Sequence, residues 1–187
     1  MTLLTGNCIG GYLYHQLGLQ FTSPTINLMI KNQDFLKLIL NPEYYMSVTP
    51  KPYRSREFPE IPCAKLDDIV LHFSHYPSVE QGISAWCKRR ERIDYENLYI
   101  IISDIGLDDD DIEKLSQVRC KKLVLMTCRK YNHDYCLYIP EYEGMEHVGQ
   151  LLGKTLYGKW NFERYFDFVG WINSNDSIAQ HFYIGKK

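Results

Sequence analysis

The chain has 187 residues, enough for one full hydrophobic core, and 45% hydrophobic with 24% charged residues is ordinary globular usage. A formal net charge of -2 gives no global attraction to nucleic acid or an anionic membrane surface, so neither is expected as a partner. No apolar run approaches the roughly 18–20 residues of a transmembrane segment, and residues 1–7 lack the basic and apolar regions of a secretion signal, so a cytoplasmic protein is expected.

In chain order, residues 2–6 read as a short apolar strand. The turn Gly6-Asn7-Cys8-Ile9-Gly10-Gly11 follows, then a helix over 10–19 with Tyr12, Leu13 and Leu17 near one face. Pro24 argues against a helix starting before it. A short helix over 34–40 stops at Asn41-Pro42. Residues 46–62 hold Pro50, Pro52, Pro59 and Pro62 and read as a surface excursion. A strand is expected over 69–73. Ser78 with Gln81 three residues on forms a capping box, and the helix it opens runs to about residue 92 with Val79, Ile83, Trp86 and Arg90 on one stripe. The continuous apolar run 98–102 suits a strand buried on both faces. Asp108 caps a helix whose first turn is Asp109, Asp110 and Asp111, where acids suit the positive end of the helix dipole. Strands over 122–126 and 136–139, the latter ended by Pro140, and helices near 145–152 and 162–171 complete the chain.

Strands alternating with helices imply parallel βαβ units with right-handed crossovers. The expected fold is a single α/β domain: a three-layer, doubly wound, mainly parallel, Rossmann-like sheet, with the Pro-rich excursion as a possible insertion.

In such a sheet ligands bind beyond the carboxyl ends of the strands. Four polar sets follow the four expected strands: Asn7, Cys8, Gly10 and Gly11; Ser74, His75 and Tyr76; Ser103 and Asp104; Thr127, Cys128, Arg129 and Lys130. All four converge on one rim if the strands are parallel. The first turn suits an anion, because glycines admit close approach and helix N–H groups point outward. It matches neither glycine-rich nucleotide pattern, so a purely steric role for the glycines stands beside that reading. Cys8 at a helix N-terminus is expected to have a lowered pKa, with His75 as its base, giving a nucleophile against the simpler reading of a packed thiol. Asp104 is a candidate general base or a loop cap. Asn7, Gly10, Gly11, Tyr76, Arg129 and Lys130 are the candidate substrate contacts.

The six cysteines contain no CxxC pair and read as free buried thiols. His72 and His75 are three apart, which on a strand turns them to opposite faces, and no zinc spacing is met, so no metal site is expected and no cofactor is specified. Lys88-Arg89-Arg90-Glu91-Arg92 suits either a phosphate or a solvated helix end. Fifteen tyrosines fit either a carbohydrate surface or the margins of a core.

The stretches Asn7-Cys8-Ile9-Gly10-Gly11, Ser23-Pro24-Thr25-Ile26-Asn27-Leu28, His72-Phe73-Ser74-His75-Tyr76, Trp86 and Arg89-Arg90-Glu91-Arg92-Ile93 resemble, over residues 3–149, a bacterial family of unknown function whose members are commonly labelled exopolysaccharide biosynthesis proteins. The resemblance implies an α/β fold and a link to capsule or surface polysaccharide production, and no catalytic role. Where that family often has a Thr-Asp-Arg-like run, this chain has Ser103-Asp104-Ile105-Gly106, so Asp104 lacks a basic neighbour.

Two functions are carried forward. One is a transferase moving an acyl, phosphoryl or glycosyl group to a polysaccharide or its sugar precursor through Cys8, His75 and Asp104. The other is a non-catalytic carbohydrate- or protein-binding component of a glycan assembly system, with other glycan-synthesis enzymes as partners. A redox or metal protein built on the cysteines is a third reading.

Overall fold

The structure is a computed structural model that describes residues 1–149, 151, 153 and 160–183. Its centre is a four-stranded sheet in the order β1 (Thr2–Thr5), β5 (Leu98–Ser103), β6 (Lys122–Thr127), β7 (Cys136–Tyr138), with every pairing parallel. Between β1 and β5 the chain forms a separate antiparallel sheet of β2 (Lys51–Tyr53), β3 (Cys63–Leu66) and β4 (Ile69–His72).

All six residues of β5 are buried, which explains its unbroken apolar run. The two-residue period divides them between faces. Leu98, Ile100 and Ile102 join Leu4 and Leu125 on one face, against residues of α2 (Asn32–Leu40), α3 (Pro42–Ser47), α4 (Val79–Arg90), α5 (Asp109–Lys114) and the small sheet. Tyr99 and Ile101 join Leu3, Val124 and Met126 on the other, against α1 (Ile9–Gln16) and α6 (Phe168–Asn173). The chain is thus α/β with a mainly parallel sheet covered on both faces. Among the described residues β1 is an edge strand, so the crevice made by a reversal of strand order does not position the residues that follow it.

The largest departure from expectation is the strand at 69–73. It belongs to the antiparallel sheet, because Leu66-Asp67-Asp68-Ile69 is a hairpin with a two-residue loop, Asp67 taking φ 59°. The excursion over 46–62 contributes exposed β2, an edge strand that tolerates Pro52. The first helix begins at Ile9 and ends at Gln16, where Gly18 at φ 63° closes it. The helix expected near 162–171 is divided into a 3-10 turn (Asn161–Arg164) and α6, because the Asp167 carboxylate caps the second piece through Gly170 N–H at 2.9 Å. Of the helix expected over 145–152, positions 145–147 are bends, 148 and 149 have no regular structure and 151 is a turn, with Gly144 and Gly149 at positive φ; residues 150 and 152 lie outside the described residues. The caps at Ser78 and Asp108 form as expected, accepting from Gln81 N–H at 3.3 Å and Asp111 N–H at 2.8 Å.

Candidate functional site

The segment between α1 and α2 determines where the site lies. Met29 exchanges two backbone hydrogen bonds with His72, at 2.8 and 2.9 Å, and the next residue, Ile30, donates to the carbonyl of Gly6 at 2.9 Å. Two consecutive residues therefore fasten the end of β4 to the end of β1. The loops leaving those strands meet, and Cys8 Sγ stands 3.0 Å from His75 Nε2. Cys8 is half-buried and His75 is exposed, so the pair is open to solvent on one side. That separation is hydrogen-bond distance for a nucleophile and its base. Among the described residues no carboxylate pairs with His75.

Cys8 is the residue immediately before α1, in helical geometry at φ −76°, ψ −5°. The expected lowering of its pKa is not observed: burial pushes the thiol up from its ordinary value. Nor does the helix start offer all its amides to a ligand. The Asn7 side-chain oxygen accepts from Ile9 N–H at 3.0 Å, and Thr5 Oγ1 accepts from Gly10 N–H at 3.3 Å while donating to the Asn7 carbonyl at 2.7 Å. Asn7 and Gly10, expected as substrate contacts, thus hold the turn together. Gly10 is required by packing: a β-carbon there would stand 2.7 Å from Thr5 Oγ1. Gly6 is similar, with the Ile30 carbonyl at 3.0 Å. At Gly11 a β-carbon would meet only ordinary contacts of 3.6 Å and beyond.

Asp104 is buried, 2% exposed, and both its oxygens are engaged: Oδ2 accepts from Cys128 N–H at 2.8 Å and Oδ1 from Val148 N–H at 2.9 Å. It clasps the loop after β6 to the segment after β7. Tyr76 donates its hydroxyl to the Ile26 carbonyl at 3.2 Å and accepts from Arg89 Nη1 at 2.7 Å, and Arg89 also donates to Ile26 at 3.0 Å. Arg129 is turned to Asp109 at 2.9 Å and Lys130 to Glu143 at 3.7 Å. Of the expected catalytic set the structure therefore brings together Cys8 and His75, with Asp104, Tyr76, Arg129 and Lys130 each engaged by partners of its own.

His72 is buried in β4, 3% exposed, with Nδ1 3.3 Å from the Met29 carbonyl, while His75 belongs to the loop. Burial lowers the His72 pKa. All six cysteines are free, but only Cys63 and Cys128 are buried, the other four being half-buried. Burial pushes Cys120 up to about 11 and Cys136 to about 12. Among the described residues no three His, Cys, Asp or Glu side chains gather to hold a metal ion. No helix among them is long and apolar enough to cross a membrane. The basic run after Trp86 binds loop carbonyls, Arg90 reaching Val48 at 2.7 Å and Arg92 reaching Phe21 at 3.3 Å.

Two residues escaped the sequence reading. Asn32 donates its amide to the Ser103 carbonyl at 2.7 Å and the Ile105 carbonyl at 3.0 Å, tying α2 to the end of β5. Asn27 lies within a quoted motif but was assigned nothing; it takes a left-handed φ of 64°.

Fold and site together define an α/β chain with a thiol–imidazole pair where the end of a parallel sheet meets a small antiparallel one. The chain belongs to the family described as the domain of unknown function DUF1919, whose model matches residues 1–173. It is also similar to an uncharacterized protein of Haemophilus influenzae, at 32% identity over 178 residues, covering 92% of this chain and 84% of the relative.

Proposed function

We propose that this protein is a transferase of exopolysaccharide or capsule biosynthesis that carries an acyl group on Cys8. The observation that supports this reading is the 3.0 Å approach of Cys8 Sγ to His75 Nε2. The polysaccharide setting rests on the sequence resemblance alone. Burial keeps the thiol protonated at neutral pH, so His75 must remove its proton as sulfur attacks. Sulfur bonds to the carbonyl carbon of an activated ester or thioester donor. The donor's alcohol or thiol leaves with the proton from His75. A sugar hydroxyl then attacks the acyl-sulfur carbon, His75 takes the hydroxyl proton, the carbon–sulfur bond breaks, and the proton returns to Cys8. The substrate is a sugar or polysaccharide precursor in the cytoplasm, beside other glycan-synthesis enzymes.

The test is replacement of Cys8 by Ala and of His75 by Ala in the producing cell, with measurement of surface-glycan acylation and of protein level. Loss of acylation at normal protein level supports the reading; unchanged glycan in both strains refutes it.

One observation favours the non-catalytic alternative. A cavity of about 590 Å³ is lined by Leu13 and Gln16 of α1 together with Glu141, Arg164, Tyr165 and Tyr183. Aromatic rings beside carboxylates and a guanidinium suit a sugar. Calorimetric titration with purified glycan fragments tests it: binding lost in Tyr183→Ala supports this reading, and no heat with any fragment counts against it.

A further inference from the structure

The base of a thiol nucleophile has to keep one ring nitrogen turned to sulfur, and a third group commonly orients it. Cys8 Sγ is a hydrogen-bond partner of the His75 ring, and among the described residues no second side chain bonds that ring. The imidazole is exposed, so packing does little to fix it. Its orientation therefore depends on the short turn that carries it.

That turn is Phe73-Ser74-His75-Tyr76. Tyr76 N–H donates to the Phe73 carbonyl at 3.0 Å, which closes a four-residue turn with His75 in its third position. The first residue is immobilised. Phe73 is fully buried, and its N–H donates to the Pro62 carbonyl at 2.8 Å. Its ring lies against the backbone of α4, where a β-carbon on Gly82 would stand 2.3 Å from Phe73 Cγ.

The last residue is fastened by a joint of three groups. The Tyr76 ring meets Phe73 edge-on, with centroids 5.6 Å apart. Its hydroxyl accepts from Arg89 Nη1 at 2.7 Å and donates to the Ile26 carbonyl at 3.2 Å, and the same Arg89 nitrogen donates to Ile26 at 3.0 Å. Bonds from a charged donor are the stronger kind. Arg89 projects from α4, and its guanidinium stands over the Phe21 ring at 5.5 Å. The residue before Ile26 is bound to the other half of the site, since Thr25 Oγ1 accepts from Thr5 N–H of β1 at 3.2 Å. The joint thus links the turn that carries the imidazole to the strand that leads to the thiol, by a route separate from Met29 and Ile30.

We infer that Tyr76, held by Arg89, is a positioning residue for His75, keeping Nε2 turned to Cys8 Sγ. The inference rests on the reading of His75 as the base of Cys8. In this role Tyr76 and Arg89 exchange no proton; they hold the turn.

The test is a double-mutant cycle read by iodoacetamide alkylation of Cys8 at pH 8 on the full chain, followed by peptide mass spectrometry. Tyr76→Phe keeps the ring on Phe73 and removes the hydroxyl. Arg89→Met keeps an apolar stem and removes the guanidinium. Each is expected to slow Cys8 about fivefold or more, and to change it by less than about twofold once His75 is already Ala, because the effect passes through the imidazole. Cys87, on α4 two residues before Arg89, is the internal control and is expected to keep its wild-type rate. An unchanged Cys8 rate in Tyr76→Phe or in Arg89→Met, with slow labelling in His75→Ala, overturns the positioning role and leaves Cys8–His75 standing. A slowing that persists in the His75→Ala background, or an altered Cys87 rate, reports a displaced thiol or helix and also overturns it. A wild-type Cys8 rate in His75→Ala overturns the base reading itself, and the inference with it.

Discussion

Cys8 and His75 follow strands of different sheets, yet their side chains meet at 3.0 Å. The connection is the pair Met29 and Ile30, one bonded to His72 and the other to Gly6. Because each carrying loop leaves a strand fastened at its end, the thiol and imidazole are held by backbone rather than by their own flexible side chains.

The reactivity of Cys8 depends on pH in a defined direction. Burial raises its pKa, so the thiolate fraction at neutral pH is small and grows about tenfold per unit until the midpoint. Iodoacetamide alkylation of Cys8 is expected to climb through pH 7, 8 and 9, and a His75→Ala variant to climb from a lower level. A rate flat down to pH 6 would mean a standing thiolate–imidazolium pair and contradict the neutral resting thiol.

Adjacent glycines of the first turn are expected to respond in opposite ways. Gly10→Ala drives a methyl group against Thr5 Oγ1 at 2.7 Å and is expected to destabilise the chain by about 1–3 kcal/mol. Gly11→Ala meets contacts of 3.6 Å or more and gains helix propensity, so its melting temperature is expected to be unchanged or higher. Thermal unfolding of the two variants decides the matter, and equal destabilisation would refute the steric account.

Asp104 is expected to act through stability. Asp104→Ala leaves the Cys128 and Val148 amides buried without their acceptor, at about 1–3 kcal/mol each. A glycan defect in this variant is expected to track reduced protein level. Full stability in denaturant with lost function would instead return Asp104 to the chemistry.

His72 gives the fold a pH dependence. Its folded pKa lies below the ordinary 6.5, so the unfolded chain binds its proton more readily. The stability it permits is whole above about pH 6.5 and declines as pH falls from there toward the folded value. Denaturant midpoints from pH 7.5 to 5 are expected to slope downward, and His72→Gln to flatten that slope. An unchanged slope would assign the dependence to other groups.

The α/β class was legible because β5 and β6 are apolar runs long enough to be recognised as buried strands, and Ser78 and Asp108 announce their helices by cap chemistry. The small sheet was not legible. Cys63–Leu66 is a four-residue strand with no extended alternation, and Asp67-Asp68 lacks the glycine that marks most tight hairpins. This misread β4 as a parallel strand, yet its loop still arrives at Cys8, because pairing through Met29 does what a shared sheet was expected to do. Cys8 and His75 were legible as residue types, and their distance was not, since it depends on contacts between segments far apart in sequence. The internal bonding of Asn7, Thr5 and Gly10 was equally hidden, because a glycine turn reads the same whether its amides face a ligand or its own side chains.

The central claim, that His75 serves Cys8 as its base, is tested most directly by competitive thiol labelling of the native protein. With a limiting amount of iodoacetamide at pH 8, the six cysteines are quantified by peptide mass spectrometry in wild type and in His75→Ala. Cys8 is expected to label fastest of the six in the wild type and to lose that lead in the variant, the other five being unchanged. Labelling of Cys8 no faster than half-buried Cys87, or a lead that survives loss of His75, would contradict it.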